Sequence, residues 1–312
     1  MDKNIEYGNN IKENKSGGHL MVNNGVILQH THHFDIKQIL ESGQVFRFEQ
    51  ISDAGYLLIA KQKCIKICQQ QESTSFLIYH TNSSEFDEVW QDYFDLGTDY
   101  NDITTILSQK DEHMKKAIDF GKGIRILKQD PWEMLISFII SQNKSIPHIK
   151  QCISNVCTLF GQPIEESHQY DKKYYTFPTP FELRDATEDI LRSCKVGFRA
   201  PYIMDACKKV LNEEINLSDL YNLSADEAKK ELMKIRGVGP KIADCILLFA
   251  YSKGEVFPTD VWVKRVVEGL YFGGEEKKIE YIQSFAKEYF GELAGYAQQY
   301  LFFYGRENAL FK

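Results

Sequence analysis

A lysine and an aspartate, nineteen residues apart, have residue types and surroundings that could support chemistry. Lys241 opens an apolar helix directly after the turn Gly-Val-Gly-Pro at residues 237–240, and Asp260 ends a Phe-Pro-Thr-Asp segment before the next predicted helix. A helix N-terminus and an apolar pocket both disfavour a protonated amine, and a Schiff-base nucleophile must be neutral. A carboxylate in the same cavity could stabilise an oxocarbenium-like sugar and help to move the lysine's proton. Alone, each residue also fits a plainer role, as a phosphate-binding lysine or a helix N-cap.

The turn at residues 237–240 has the composition of an anion-binding corner between two helices. Gly237 and Gly239 allow positive φ angles and carry no side chains, so backbone amides and the positive end of the next helix could face a DNA phosphate. An ordinary helical corner is the alternative to this helix-hairpin-helix, which would extend over about residues 226–250. Backbone carbonyls of the hairpin could also hold a Na⁺, K⁺ or Ca²⁺ ion that bridges to the phosphate, and the candidates are those of Met233, Ile235 and Val238.

The composition is that of an ordinary globular protein. The 312 residues are 43% hydrophobic and 26% charged, which suits two domains, and no apolar run approaches the roughly 20 residues that span a bilayer. Seven scattered cysteines without a Cys-x2-Cys pair indicate free thiols. We expect an intracellular monomer, in the cytoplasm or nucleoid of a prokaryote or the nucleus of a eukaryote, with no required cofactor and no membrane partner.

The net charge of −7 is unevenly distributed. Residues 1–112 carry 9 Lys/Arg against 17 Asp/Glu, whereas residues 113–312 carry 28 against 27. Residues 115–128 and residues 190–210 each hold five basic side chains and one acid. Such patches on a neutral body are compatible with phosphate contacts, although a charge run is usually a solvated face.

Hydrophobic periodicity divides the chain into a strand-rich part and a helical part. Period-two runs between Val26 and His80 predict an antiparallel sheet, and helical spacing begins after Ser84. Further helices are predicted, among them one over Phe181–Arg192. We expect an α+β protein with a disordered tail over residues 1–25, a small N-terminal antiparallel β-sheet domain with flanking helices over 26–120, and an α-helical catalytic domain over 121–312.

Several ordered segments resemble the helix-hairpin-helix, Gly/Pro-Asp (HhH-GPD) superfamily of DNA glycosylases and, within it, the 8-oxoguanine DNA glycosylases. The resemblance extends from about residue 26 over nearly the whole chain, and Lys241 marks the glycosylase/lyase type. No cysteine follows Cys245, whereas the endonuclease III branch usually carries a four-cysteine cluster there. The segments that carry the resemblance are SGQVFR (42–47), YFDL (93–96), IRILKQDP (124–131), FIISQN (138–143), VGFRA (196–200), VGPKIADC (238–245) and Ala-Gln (297–298) before Phe302.

The resemblance implies excision of an oxidised purine from damaged double-stranded DNA after base flipping, with Lys241 attacking C1′ and Asp260 assisting it. The carbonyl of Gly43 would accept the N7–H that 8-oxoguanine has and guanine lacks. Gln298, or Gln299 if the register slips by one, would bind the Watson–Crick edge. The two residues that would enclose the base are Cys245 and Phe302.

The resemblance also implies contacts with the DNA around the flipped base. Asn143 would fill the gap that the base leaves, Phe198 would wedge into the stack, and Arg199 would contact the opposite cytosine. Glycosidic carbons and base edges are otherwise buried in the duplex, so such residues must distort it.

Three positions depart from the pattern of the eukaryotic enzymes. His148 stands where they use a second arginine against cytosine, so we expect a weaker preference for cytosine. Trp262 replaces a histidine expected at a phosphate, and Lys144 replaces a polar amide.

Two other functions remain open at this level. The chain could be a glycosylase for another damaged base, such as an alkylated purine, but Lys241 and Gly43 argue against a purely monofunctional enzyme. It could also be a non-catalytic helix-hairpin-helix DNA-binding protein, which would need neither Asp260 nor a base pocket.

Overall fold

The computed structural model describes residues 12–13, 19–22, 25–69, 73–165, 170 and 172–310, with the backbone alone before residue 25. One antiparallel sheet occupies the first quarter of the chain, and helices make up most of the rest. This α+β arrangement confirms the predicted fold class. No helix of the described part is long and apolar enough to cross a membrane.

The strands form a single sheet whose two faces are both covered. They are β1 (Lys12–Glu13), β2 (His19–Val22), β3 (Gly25–Leu28), β4 (Phe48–Ser52), β5 (Gly55–Ala60), β6 (Lys63–Gln69) and β7 (Phe76–Tyr79). Their order is β1-β2-β3-β7-β6-β5-β4, with every neighbouring pair antiparallel. Tyr56 and Leu58 belong to one core, and Leu57 packs with Ile164 on the other face. Because both faces are buried, β5 is apolar at nearly every position instead of alternating.

The tail predicted to be disordered, residues 1–25, contains strands. β1 and β2 pair with each other, and β2 pairs with β3, which begins at Gly25. The expectation of disorder is therefore wrong for these strands, and the remaining tail residues lie outside the described part. The polar composition of the surrounding residues concealed them, because strands this short are held by backbone pairing with their neighbours and leave little periodicity in the sequence.

Side-chain caps start many of the helices. Asp130 accepts the N–H of Glu133 at 2.8 Å, and Pro131 occupies the first helical position. The helices are α1 (Ile36–Glu41), α2 (Ser83–Glu85), continuing through a π-helical turn (Phe86–Trp90) into α3 (Gln91–Tyr93), α4 (Tyr100–Ser108), α5 (Glu112–Phe120), α6 (Pro131–Ser141), α7 (Ile146–Phe160), α8 (Glu188–Ser193), α9 (Ala200–Leu211), α10 (Ala225–Leu232), α11 (Pro240–Tyr251), α12 (Val261–Tyr271), α13 (Ile279–Phe290) and α14 (Ala294–Glu307).

The helix predicted over Phe181–Arg192 is shorter than expected. Thr179 and Glu182 bond to each other in a turn, and α8 begins only after Thr187, whose hydroxyl accepts the N–H of Ile190. A capping threonine inside the apolar pattern starts the helix later than periodicity indicates.

The hydrophobic cores do not divide at the predicted boundary of residue 120. Residues of α4 and α5 share a core with α12, α13 and α14, and a second helical core surrounds α6 and α11. The segment 100–120 therefore packs with the C-terminal helices. The core of α4, α5 and the C-terminal helices packs α14 against α12, and α14 and the N-terminal end of α12 line the candidate site beside the start of α11.

The contact between Gly123 and the start of α1 generates a stability prediction. The N–H of Asp35 donates to the carbonyl of Gly123 at 3.0 Å, and a Cβ at position 123 would lie 2.6 Å from that nitrogen. We expect Gly123→Ala to lower the free energy of unfolding by about 1–3 kcal/mol, measured by urea denaturation. Gly97→Ala is the control because a Cβ there meets no heavy atom within 4 Å. Equal effects of the two substitutions would contradict this account.

Candidate active site

One small cavity brings together every residue predicted for catalysis and for the base pocket. It lies where the turn after α1 meets the N-terminal ends of α11 and α12 and the middle of α14, and its volume is about 50 Å³. The predicted roles of these residues stay predictions, but their proximity is a fact of the fold. The cavity is lined by Ser42, Gly43, Phe138, Lys241, Cys245, Phe249, Pro258, Asp260, Gln298, Gln299 and Phe302.

Lys241 lies in the first turn of α11 because the hairpin ends immediately before it. Gly239 is the N-cap residue, and Pro240 occupies the first helical position, where a missing N–H costs no bond. The half-buried amine lies 5.4 Å from the centre of the Phe138 ring, which stacks on Phe249 with 5.7 Å between ring centres. An aromatic wall therefore keeps water from one side of the amine.

Cys245 lies one helical turn after Lys241, and its thiol contacts the lysine amine. Burial raises the pKa of the Cys245 thiol to about 11, and the nearby Lys241 only partly opposes that rise. The sulfur is therefore a neutral thiol at neutral pH. It offers a polarizable surface for a base, and it does not compete as a nucleophile.

Asp260 is the N-cap of α12, as the sequence predicts. Its Oδ1 accepts the N–H of Val263 at 2.8 Å, and the carboxylate is half-buried in the cavity that Lys241 also lines. The preceding Thr259 is buried and donates its hydroxyl to the carbonyl of Phe257 at 2.9 Å. The cap and the threonine bond together fix where this carboxylate lies.

The Gly43 turn forms the opposite wall of the cavity and needs glycine. Its φ is +85°, and a Cβ there would lie 3.0 Å from the ring of Phe302. Gln299 donates to the carbonyl of Ser42 at 2.9 Å and so ties the turn to α14. A side chain at position 43 would separate the two walls that are expected to contact the base.

Gln44 is fully buried and anchors the turn from the other side. Its amide nitrogen donates to the carbonyl of Arg125 at 2.8 Å, and its amide oxygen accepts the N–H of Leu127 at 2.8 Å. Gln129 donates to the backbone carbonyl of Gln44 at 2.7 Å. The backbone at residues 42–44 is therefore held by hydrogen bonds on both sides.

The structure distinguishes the two adjacent glutamines that the sequence left open. Gln299 is committed to Ser42, whereas Gln298 is 5% exposed and its Oε1 is buried without a hydrogen-bond partner. The Watson–Crick edge of a guanine derivative presents N–H donors, which an unpaired amide oxygen could accept. These contacts favour Gln298 for that role.

The hairpin has the geometry expected of an anion-binding corner. Gly237 has a φ of +84° and lies so close to the ring of Tyr202 that a Cβ would collide with it. A Cβ at position 239 would meet no heavy atom within 4 Å, so the space next to Gly239 is open. Within the turn, the N–H of Val238 donates to the carbonyl of Ile235 at 3.0 Å.

Asn143, which is expected to fill the gap in the DNA, and His148, which stands at the position of a second cytosine-contacting arginine, both lie on the surface near the junction of α6 and α7. Asn143 is exposed with a φ of +50°, and His148 is exposed on α7. Lys144 places its amine 3.1 Å from Nε2 of His148 and donates to the carbonyl of Lys195 at 3.1 Å. The Lys144 amine therefore lies next to His148, which is the position where the eukaryotic enzymes have an arginine.

The expected wedge and the expected cytosine contact differ sharply in exposure. Phe198 is 50% exposed, whereas Arg199 is 3% exposed, with its guanidinium 4.2 Å from the Phe198 ring centre and one N–H donated to Val196. Burial lowers the pKa of Arg199, and its Nε has no partner. Arg199 must move outward before it can contact a base. The indole N–H of Trp262 is likewise buried and unpartnered, so it presents no donor to a phosphate in this state.

The sequence did not reveal the aromatic lining of the cavity. Phe138 and Phe249 lie within apolar helices and have the spacing of ordinary core residues, which they also are. Ser42 and Pro258 adjoin predicted residues, so proximity in sequence was their only signal.

Two family models match consecutive parts of the chain. The model "8-oxoguanine DNA glycosylase, N-terminal domain" covers residues 26–135, and "HhH-GPD superfamily base excision DNA repair protein" covers residues 136–292. The junction at residue 135 falls inside α6, fifteen residues beyond the predicted boundary.

Two solved structures match nearly the full length of the chain, and one further relative matches about seven tenths of it. The Clostridium acetobutylicum 8-oxoguanine glycosylase/lyase, solved with duplex DNA containing cytosine opposite 8-oxoguanine, is 42% identical over 96% of this chain and 98% of that one, with a TM-score of 0.87. MBOgg1, solved with a low-affinity DNA ligand, is 45% identical over 96% and 99%, with a TM-score of 0.88. The probable N-glycosylase/DNA lyase of Methanothermobacter thermautotrophicus is 34% identical over 70% of this chain and 74% of its own. The chain therefore belongs to the HhH-GPD superfamily of base excision DNA repair proteins and, within it, to the 8-oxoguanine DNA glycosylase family.

Proposed function

We propose that this protein excises 8-oxoguanine from duplex DNA and then cleaves the strand as a lyase, with Lys241 as nucleophile. The observation that supports it most strongly is the single cavity shared by the Lys241 amine, the Asp260 carboxylate, the Gly43 turn and the unpaired oxygen of Gln298. A non-catalytic DNA-binding protein would need none of these together. An enzyme for alkylated purines would not need an acceptor for N7–H at Gly43.

Recognition begins with a flipped base, because C1′ and the Watson–Crick edge are inaccessible while the base is stacked and paired. The Gly43 carbonyl accepts N7–H, and Gln298 Oε1 accepts from the Watson–Crick edge. Cys245 and Phe302 contact the two faces of the base. Guanine lacks N7–H and would leave a polar group unpaired, which costs about 1–3 kcal/mol.

Chemistry at the sugar follows from the positions of Lys241 and Asp260. The Lys241 amine forms a bond to C1′ while the C1′–N9 bond breaks. The electron pair of the C1′–N9 bond leaves with the base, which takes up one of the two protons that the attached nitrogen now carries. The carboxylate stabilises positive charge that develops on the sugar. The C1′–O4′ bond then opens, O4′ takes up the second nitrogen proton, and C1′ and the nitrogen form an imine. Removal of a C2′ proton then expels the 3′ phosphate by β-elimination.

The hairpin supplies a phosphate contact next to this chemistry. Gly239 leaves open space beside the turn, the side chain of Val238 is buried, and the N-terminus of α11 directs positive charge to the turn. The carbonyls of Met233, Ile235 and Val238 are hard oxygen donors that would hold a Na⁺, K⁺ or Ca²⁺ ion, and such an ion would supply positive charge for the phosphate and take no part in bond breaking. We place the protein with the chromosome, in the nucleoid of a prokaryote or the nucleus of a eukaryote.

Borohydride trapping tests the nucleophile. A duplex with 8-oxoguanine opposite cytosine should give a covalent adduct with the parent protein, because borohydride reduces the imine, and no adduct with Lys241→Gln. The matched control is Lys287→Gln, since that lysine is 72% exposed on α13. Trapping by Lys241→Gln, or failure of the parent to trap, would overturn the proposed function.

Gln298→Ala tests the base pocket separately from DNA binding. We expect excision of 8-oxoguanine to slow by about ten- to a hundredfold, because one or two hydrogen bonds to the base are lost. Duplex affinity and cleavage at a preformed abasic site should hardly change, since neither requires the base. Equal losses in binding and excision would show that the substitution acts on the fold instead.

Excision opposite each of the four bases tests the cytosine contact. With His148 exposed and Arg199 buried, we expect cytosine to be preferred only weakly in single-turnover rates. Arg199→Met should reduce the rate opposite cytosine more than the other rates. Excision confined to pairs with cytosine would contradict the prediction.

A further inference from the structure

Arg306 joins two walls of the base cavity through one guanidinium group. It lies in the last turn of α14, with its Cζ 5.3 Å from the centre of the Phe302 ring. Its Nη2 donates to the carbonyl of Glu41 at the end of α1. Its Nη1 is 3.5 Å from the point that a Cβ on Gly43 would occupy. One side chain therefore contacts Phe302 and also reaches the turn that carries Gly43.

One donor of this guanidinium is unused. Nε and Nη2 each lie 2.9 Å from Glu307, but Nη1 is buried and has no hydrogen-bond partner. An unpaired buried donor on a charged group is costly, so an acceptor that arrives at this point would be bound strongly. No protein group in the described part supplies that acceptor.

The cavity must widen before a base can enter it. Its volume is about 50 Å³, whereas pockets for small ligands are typically about 300–1,000 Å³. The ring of Phe302 lies against Gly43, so a purine between them has to push the ring away. Arg306 lies one turn after Phe302 on α14. It adjoins the Phe302 ring and Gly43, beside the gap that opens between them.

The edge of 8-oxoguanine that would face Gly43 carries an acceptor that the free Nη1 donor of Arg306 could bind. That edge carries N7–H beside the C8 carbonyl, a donor next to an acceptor. The Gly43 carbonyl with a neighbouring N–H is the complementary pair. Guanine has an acceptor at N7 and a C–H at C8, so it matches neither group.

We propose that Arg306 is a specificity-determining residue whose Nη1 donates to the C8 carbonyl of the flipped base once Phe302 has moved away from Gly43. The inference rests on the proposed function and adds a second contact to the recognition of the oxidised edge. The inference also gives the closed cavity a role in selecting the base, since a base that supplies the missing acceptor for Nη1 favours opening of the cavity.

Binding in a Lys241→Gln background tests this inference, because the base then stays attached. The ratio of Kd for guanine:cytosine and 8-oxoguanine:cytosine duplexes should fall about tenfold with Arg306→Met, which keeps a long side chain beside Phe302 but has no donor. Arg306→Lys, which keeps a charged donor, should lose less. Arg184→Met is the matched control, since that guanidinium also lies over a ring, Phe181, at 3.7 Å.

Cleavage of a preformed abasic site by the Arg306 variants, with Lys241 intact, should match the parent. An unchanged ratio in Arg306→Met, a parallel loss of abasic-site cleavage, or a loss in Arg306→Lys as large as in Arg306→Met would overturn the inference. If Arg306→Met does not fold, as judged by its Tm, Arg306→Leu, which likewise has no donor, replaces it under the same criteria. Failure of the parent to excise 8-oxoguanine would instead refute the proposed function.

Discussion

The position of the Gly43 turn is the constraint on which the site depends, and buried amides hold it. Gln44 bonds to backbone groups of Arg125 and Leu127, and Gln299 bonds to Ser42 from α14. Hydrogen bonds are directional, so they fix where a carbonyl points more narrowly than apolar contacts do. A displacement of about 1 Å would remove the match to N7–H, because recognition of this kind tolerates little error.

The cavity combines two parts of the chain. The helical part supplies the amine of Lys241 and the carboxylate of Asp260, whereas the N-terminal part contributes only Ser42 and Gly43 to the lining. The hairpin that positions Lys241 and the cap that positions Asp260 are local structures, so the helical part can position both groups by itself. Selecting an oxidised purine requires a second part of the chain, which is held against the first by the hydrogen bond from Gln299 to Ser42 and by the contact between Phe46 and Phe138.

Local rules explain which parts of the molecule the sequence predicted. Lys241 and Asp260 follow from a Gly-Pro turn and a Pro-Thr-Asp cap, whose geometry depends on adjacent residues. The α+β order of elements likewise follows from periodicity. The aromatic wall of Phe138 and Phe249, the burial of Arg199 and the pairing of β1 with β2 depend on contacts between distant segments, which no window of sequence contains.

Unsatisfied buried polar atoms are concentrated where the nucleic acid is expected. Seven such side-chain atoms occur in the described part, and four belong to Gln298, Arg306, Arg199 and Trp262, all at the cavity or beside residues expected to contact DNA. Each costs the free protein about 1–3 kcal/mol. A fold selected for stability alone would pair or replace them. Their position indicates that the free protein loses stability at these groups because the damaged strand supplies their partners. Binding energy is then gained with the base that supplies those partners.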